Sequence, residues 1–401
     1  MDSKDVALIR AKQRQLDQIL AGIDVDLWLV FCREGSDPST LLYVGHEMVG
    51  ETAFLFAKDG RKIAIVADFD RMAIESIGIF DEVVSYSQGI EEPLRKAFAD
   101  VSPRRIALDY SLRDHLADGL SHGQFLRLCE ILGEEAIIGR HISAETILAP
   151  LRARKTAEEI ERIRKAVEIT DRIFLDIAAF ARPGMTEREV NAFIQLRQKA
   201  YGVAPAWGDG AAVCTGRIGV GHRSPGDFPL VPGDVFIVDM GVYYQGYCSD
   251  LTRTFYILRE GETGPSPEFV RRFNLARDAI TLAAQAIRPG KRGHEIDAVA
   301  RSYHQANGLV PYTSSLGHQI GRTVHDGGGS LAPLNPRYGT KGMAILEEGN
   351  VFTLEPFVSG RTEDGGAPPI GLEEDALVTR QGCEFLSTRQ TELVCVGGGR
   401  S

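Results

Sequence analysis

Two aspartates sit in a stretch that otherwise reads as paired β-strands. From Val235 to Phe255 the chain runs VFIVDMGVYYQGYCSDLTRTF, with apolar and β-branched residues at Val235-Phe236-Ile237-Val238 and again at Leu251-Thr252-Arg253-Thr254-Phe255. Tyr244-Gln245-Gly246 interrupts them. An even-length loop centred between Tyr244 and Gln245 would oppose Asp239 and Asp250, with both side chains on one face and Cβ atoms about 5 Å apart. Carboxylates that close repel. On a strand as apolar as Phe236 to Val238, burial of such a charge is costly unless it is paired or coordinates a metal. Hard oxygen donors suit divalent cations. The alternatives are a solvated pair on an exposed hairpin, or a bulge at Gly246 that sends the two side chains apart.

Further residues of the same chemistry follow. Ser315-Leu316-Gly317-His318-Gln319-Ile320-Gly321 sets a histidine between glycines, where backbone must pass close to something, and Val324-His325-Asp326 supplies another. Asn350-Val351-Phe352-Thr353-Leu354-Glu355-Pro356 is a strand pattern that puts Glu355 on the side of Thr353 and Val351. Ile370 to Val378 is a second strand pattern, with adjacent acids of which only one of Glu373 and Glu374 can face inward; alternation leaves the choice open. Four carboxylates and one imidazole would satisfy two divalent cations bridged by hydroxide and about 3.5 to 4 Å apart. Four negative charges nearly balance four positive ones, which favours two ions over one.

These residues need a scaffold. The chain of 401 residues has room for two domains. Asp5 to Ala21 reads as an opening helix. Strand runs follow at Leu27–Phe31, Ala53–Phe56 and Lys62–Val66, the last two joined at Asp59-Gly60, and then helical patterns at Arg71–Ile77, Glu92–Ala99 and His115–Leu132. The alternation predicts an α/β domain. His46, His115, His122 and His141 fall there without metal-ligand spacing and read as ordinary hydrogen-bonded histidines. Ala149 to Lys155 is the expected crossing to the second half. That half opens with an amphipathic helix over Thr156–Phe180, stopped by Arg182-Pro183-Gly184, and Thr186-Glu187-Arg188-Glu189 then caps the next helix. A second helical hairpin, Pro267–Ile287 and Gly293–Asn307, is divided by Arg288-Pro289-Gly290. Helix, Arg-Pro-Gly, helix, then strands occurs twice, which reads as an internal duplication.

Composition removes several classes of function. A net charge of -10 with no long basic run argues against nucleic-acid binding. There is no apolar run long enough for a membrane span, and the N-terminal stretch lacks a signal-peptide core. Six scattered cysteines without C-x-x-C spacing read as reduced thiols of a cytoplasmic protein.

The order of Asp239, Asp250, His318, Glu355 and a last glutamate, the phrase G-Y-x-S-D-x-T-R-T from Gly246 and the phrase G-H-x-I-G from Gly317 resemble the pita-bread metallopeptidases. That family includes methionine aminopeptidase, aminopeptidase P, prolidase and the metal-free creatinase. The resemblance implies an α/β N-terminal, creatinase-N-like domain over residues 1–150 and an α+β pita-bread catalytic domain with pseudo-twofold duplication over 155–401. It selects Glu373 as the last ligand, with Glu374 as the fallback. Asp239 and Glu373 would hold two divalent ions together, Asp250 would bind one with both oxygens, and His318 and Glu355 would complete the other; manganese is the first expectation, cobalt or zinc the alternatives. Glu355 would also shuttle the proton, while His222 and His325 would contact the substrate.

An N-terminal domain argues against methionine aminopeptidase, and intact ligands argue against creatinase. The implied activity is hydrolysis of an Xaa-Pro dipeptide by a homodimer. The alternatives are an Xaa-Pro aminopeptidase acting on longer peptides, a creatinase-type carbon-nitrogen hydrolase and a non-catalytic member. For the free carboxylate of a dipeptide, the nearest basic residues are Arg337 and Lys341. Gly371 stands where the family often has an arginine, and Trp207 and Asp209 stand where it has a tyrosine.

Overall fold

The computed structural model describes residues 3–208, 210–219, 221, 223–310, 312–359 and 369–397. Its contacts divide the chain into two compact units, Met1–Thr156 and Ala157–Ser401. Among the described residues, no helix is long and apolar enough to cross a membrane, and the six cysteines are free thiols.

The first unit is a six-stranded mixed sheet of β1 (Leu27–Cys32), β2 (Thr52–Ala57), β3 (Lys62–Ala67), β4 (Glu82–Tyr86), β5 (Ile106–Leu108) and β6 (His141–Ser143), in the order β4-β3-β2-β1-β5-β6. β1 and β2 are buried along their whole length because both faces are covered. On one face Leu27, Leu29 and Phe31 pack with Leu94 and Leu128 of the helices Glu91–Val101 and His122–Leu132. On the other, Trp28 stacks on Phe56 and meets Tyr43, with ring centroids 5.0 and 4.8 Å apart. Two boundaries differ from the sequence reading. His115–Leu132 is a short 3-10 turn, His115–Ala117, followed by a separate helix from His122, because the Ser121 hydroxyl accepts the Gln124 N–H and starts a new helix there. Ala149 to Ala153 completes the helix Glu145–Ala153 rather than forming the crossing.

Asp109 is a buried acid in this unit. Its Oδ1 accepts Trp28 Nε1 at 2.5 Å, its Oδ2 has no hydrogen-bond donor, and the Asp37 carboxyl lies against it. Burial first, then the charge of Asp37, hold its pKa well above the usual carboxylate range.

Among its described residues the second unit has twelve strands: β7 (Ala204–Pro205), β8 (Ala212–Thr215), β9 (Val235–Met240), β10 (Val242–Tyr244), β11 (Tyr247–Cys248), β12 (Leu251–Ile257), β13 (Gly317–His318), β14 (Ser330–Leu331), β15 (Val351–Leu354), β16 (Glu374–Thr379), β17 (Gly382–Phe385) and β18 (Val394–Val396). They form sheets β18-β12-β9-β8, β11-β10-β7, β13-β14 and β15-β16-β17. The helices Ala157–Phe180, Glu187–Ala200, Pro267–Ala286 and Gly293–Ala306 accompany them in two corresponding pairs. The duplication extends to local hydrogen bonds. Glu189 accepts the Thr186 N–H and Glu295 accepts the Arg292 N–H, each at 2.7 Å, at matching helix starts. Gly184 N donates to Leu230 O and Gly290 N to Leu346 O at matching turns.

The central hairpin has a different register from the sequence expectation. Asp239 lies opposite Thr252, not Asp250. β10 and β11 continue the same register, with Tyr244 opposite Tyr247, so the loop is Gln245-Gly246. Both loop residues have positive φ, 45° and 87°, as a type I′ turn requires. Gly246 takes the second left-handed position without steric cost, which puts the turn one residue later. A one-residue displacement of the turn moves every partner by two, so Asp250 remains on the face of Asp239, one diagonal step along.

Two predictions follow from these local conformations. Gln245→Asn, better suited to left-handed backbone, should stabilise the fold by about 0.5 kcal/mol without changing the site, read as a higher urea midpoint at equal slope. For Asp109 the folded pKa is raised, so its contribution is complete at acid pH and is lost as pH rises through the raised value. Asp109→Asn should therefore raise the urea midpoint at pH 8 and give no advantage at pH 4; equal effects at both would contradict the burial of an ionising pair.

Candidate metal centre

The donor atoms of Asp250, His318 and Glu373 lie within 4.8 Å of one another. His318 Nε2 is 3.6 Å from Asp250 Oδ2 and 3.4 Å from Glu355 Oε1. Separate strand ends converge to produce this. In β15–β16 Leu354 is opposite Glu374, and the same register carried one residue further sets Glu355 against Glu373. Glu373 N donates to Thr252 O at 3.1 Å, tying the entry of β16 to β12. Thr252 Oγ1 then donates to Glu373 Oε2 at 2.8 Å. On the other side Glu355 N donates to Leu316 O. A Cβ on Gly317 would come within 1.9 Å of Thr353 O, so only glycine allows this approach. Beyond it, His318 N donates to Thr353 Oγ1 at 3.1 Å, and that hydroxyl donates to Glu355 Oε1 at 3.2 Å.

Asp239 is half-buried and, with Glu355 and Thr252, lines a cavity of about 480 Å³. Ala212, Cys214, Ile237, Leu372, Phe357 and Tyr312 supply much of its apolar wall.

The electrostatics of the protein groups are those of acids crowded in low dielectric. Burial, then the charges of Glu373 and Asp239, raise the Asp250 pKa well above its ordinary value. Burial and the charges of Glu355 and Asp239 do the same to Glu373. Burial and then Asp239 push Glu355 up to about 8. His318 is pushed down to about 3 by burial and by His325, which favours a neutral imidazole with a free lone pair. Carboxylate oxygens with one neutral imidazole form a donor set for a divalent transition metal, whose charge would offset the repulsion among them. The residues present therefore fit such an ion.

The two adjacent acids have opposite surroundings. Glu373 faces the cluster, whereas Glu374 is fully buried on the other side. Glu374 accepts Arg253 Nη2 at 2.9 Å, Ser387 Oγ at 2.5 Å and Gln390 N at 3.0 Å. His325 is exposed, its ring centroid 4.2 Å from that of His318. His222 and Asp209 lie outside the described residues. Arg337 is exposed and donates to the carbonyl of the cavity-lining Thr313 at 3.4 Å. Lys341, in the 3-10 turn Lys341–Met343, is not among the described cavity-lining residues. Trp207 lines a neighbouring cavity.

Thr353, which alternation places on the side of Glu355, supports the site, and so do Thr252 and Asp375, which are absent from the sequence reading of it. Thr252 lies two positions from Asp250, so the same strand alternation reaches it. Asp375 Oδ2 accepts the Asp250 N–H at 3.1 Å, a contact with no local signal.

Duplicated helix–strand halves whose strand ends bring carboxylates and an imidazole together define the pita-bread class. The sequence matches the model of metallopeptidase family M24 over residues 161–380, and the chain belongs to that family. It is 26% identical over 347 residues to the uncharacterized peptidase YqhT of Bacillus subtilis, spanning 86% of this chain and 90% of that protein. An X-Pro aminopeptidase structure from Thermotoga maritima is similar at 27% identity and a TM-score of 0.72, over 96% of this chain and 99% of that one. An Xaa-Pro dipeptidase from Bacillus anthracis shares the fold, at 24% identity and a TM-score of 0.76, over 97% and 100% of the two chains.

The opposite surroundings of the two acids predict opposite variants. Glu373→Gln should weaken manganese binding in calorimetry while leaving the fold near wild-type stability. Glu374→Gln should keep the donors but destabilise the fold by about 3 kcal/mol, because Arg253 loses a buried charged partner. Reversal of the two phenotypes would exchange their assignments.

Proposed function

We propose that the unit Ala157–Ser401 hydrolyses the peptide bond to proline in short peptides, Xaa-Pro dipeptides foremost, using two divalent metal ions, manganese first. The observation that carries this reading is the convergence of Asp250, His318 and Glu373 within 4.8 Å beside Glu355. Asp239 and Glu355 add the link to a cavity of small-peptide size. Asp239, Asp250, His318, Glu355 and Glu373 would hold the ions, which would supply Lewis acidity and lower the pKa of attacking water.

The protein groups divide the remaining work. Glu355 accepts the water proton and returns it to the leaving nitrogen. That transfer matters at proline, whose nitrogen carries no N–H in the peptide and must gain a proton to leave as an amine. His222 and His325 donate hydrogen bonds to the oxygen of the scissile carbonyl as its charge develops. The apolar wall excludes bulk water and strengthens these interactions. Arg337 and Lys341 are the candidates for the free carboxylate of a dipeptide, Arg337 contacting the cavity-lining Thr313 through its carbonyl.

A second reading, cleavage of the first residue from longer peptides, is favoured by the 27% identity to an X-Pro aminopeptidase and by the exposure of Arg337. The homodimer expectation belongs to either reading.

Manganese-loaded protein should release proline from Ala-Pro, chelation should abolish release, and Asp250→Ala should lower kcat/KM by more than about a hundredfold, since even outer partners of metal ligands cost 10- to 100-fold. Full turnover after chelation would refute the proposal. Faster cleavage of Ala-Pro-Ala than of Ala-Pro would favour the second reading.

A further inference from the structure

One wall of the cavity, contributed by Val310, Tyr312, Thr313 and Ser314, belongs to no strand, yet it leads directly to His318. It is held by two charged residues one turn apart on the helix Gly293–Ala306. Arg301 and Asp297 form a two-pronged ion pair, with Nε to Oδ2 at 2.9 Å and Nη2 to Oδ1 at 2.8 Å, and Asp297 is almost wholly buried. Both have hydrogen-bonding capacity left over, and the wall uses it. Arg301 Nη1 donates to Tyr312 O at 2.5 Å and Nη2 to Ser314 O at 3.1 Å. Asp297 Oδ1 accepts the Leu316 N–H at 3.1 Å, which Leu331 O shares at 2.8 Å. The guanidinium also lies 4.2 Å from the centroid of the Tyr312 ring, a cation–π contact on a cavity-lining side chain. One ion pair thus fixes backbone at three alternate residues and one aromatic face.

The other half uses the same helix position with uncharged chemistry. Asn191 stands as far beyond Arg182-Pro183-Gly184 as Asp297 stands beyond Arg288-Pro289-Gly290. Its Oδ1 accepts the Ala211 N–H at 3.0 Å, at the entry to β8, whose Ala212 and Cys214 line the same cavity. There the wall is already a strand paired with β9. The irregular wall has no such ladder before Leu316, and the ion pair takes its place.

We propose that Asp297 and Arg301 are positioning residues that set the substrate-facing wall; their kinetic consequence rests on the peptidase reading above. His318 itself is held separately, by Thr353 through its N–H and by the close approach of Gly317. Loosening the wall therefore weakens substrate binding and leaves the metal donors in place.

The test uses the full-length, manganese-loaded chain. Arg301→Met should raise KM for an Xaa-Pro peptide by about tenfold or more, with kcat and bound manganese within about threefold of wild type, the pattern of lost uniform binding. Arg301→Lys keeps the Asp297 partner and one carbonyl bond and should recover most of the loss. Asp297→Asn should fall between them. Without substrate, hydrogen exchange of the 312–316 amides should accelerate in Arg301→Met. Unchanged exchange there, or a fall in kcat and manganese content at constant KM, would overturn the proposal. An inert wild-type protein would remove the peptidase reading, while the exchange rates would still decide the clamp.

Discussion

Mutual repulsion among carboxylates is the constraint around which the second unit is arranged. Asp239, Asp250, Glu355 and Glu373 approach one another at the ends of strands whose neighbours are apolar, and the charges of Asp239, Glu355 and Glu373 each raise the pKa of one or more of the other acids. Such an arrangement is unfavourable in a folding chain unless something offsets it. Local donors do part of this: Thr252 Oγ1 on Glu373 and Thr353 Oγ1 on Glu355. None of these carries positive charge. Arg253 could have, but it turns to the opposite face and is occupied by Glu374 and Asp171. The fold thus directs the Arg253 guanidinium to Glu374 and Asp171 rather than to the four acids, an arrangement suited to a site whose positive charge comes from a bound cation.

Much of this was legible in the chain because strand alternation has a period of two. Acids interrupting apolar strand runs, a histidine between glycines and a repeated Arg-Pro-Gly brought out the right segments. What alternation could not supply were choices made by conformation and tertiary contact. Gln245 at positive φ is uncommon for its residue type, so sequence pattern alone sets the turn one residue early and opposes Asp239 to Asp250 rather than Thr252. The face is the same in either register because partners move in twos. Glu373 and Glu374 are indistinguishable to alternation. They differ in what lies opposite, and Arg253, Ser387 and Gln390 reach Glu374 from segments far along the chain.

The Asp297–Arg301 pair illustrates another limit. An aspartate four residues before an arginine on a helix reads as an ordinary surface pair, worth a few tenths of a kcal/mol. What makes it different is the partially wrapped segment beside it, whose carbonyls point at the guanidinium. The value of a charge pair depends on which unpaired backbone groups surround it, and that information lies in loop conformation.

The duplication explains where the four acids stand. Asp239 and Glu355 occupy the same place in their halves, each the fifth residue counted from the start of β9 and β15. Opposite Asp239 is Thr252, and in the corresponding position opposite Glu355 is Glu373. The remaining acid of the first half, Asp250, is one diagonal step away, and its counterpart in the second half is Gly371. A Cβ at Gly371 would sit 3.0 Å from the Ile237 and Thr252 methyls, a tight contact to which those side chains would have to yield. Strict symmetry would have set two carboxylates face to face in each half. The halves instead diverged: Thr252 of the first half stands where the second half has Glu373 and donates to that glutamate, so only the second half opposes two acids. The symmetric scaffold brings the strands together, while the broken symmetry of its side chains leaves one directly opposed acid pair, Glu355 with Glu373, where strict repetition would give two.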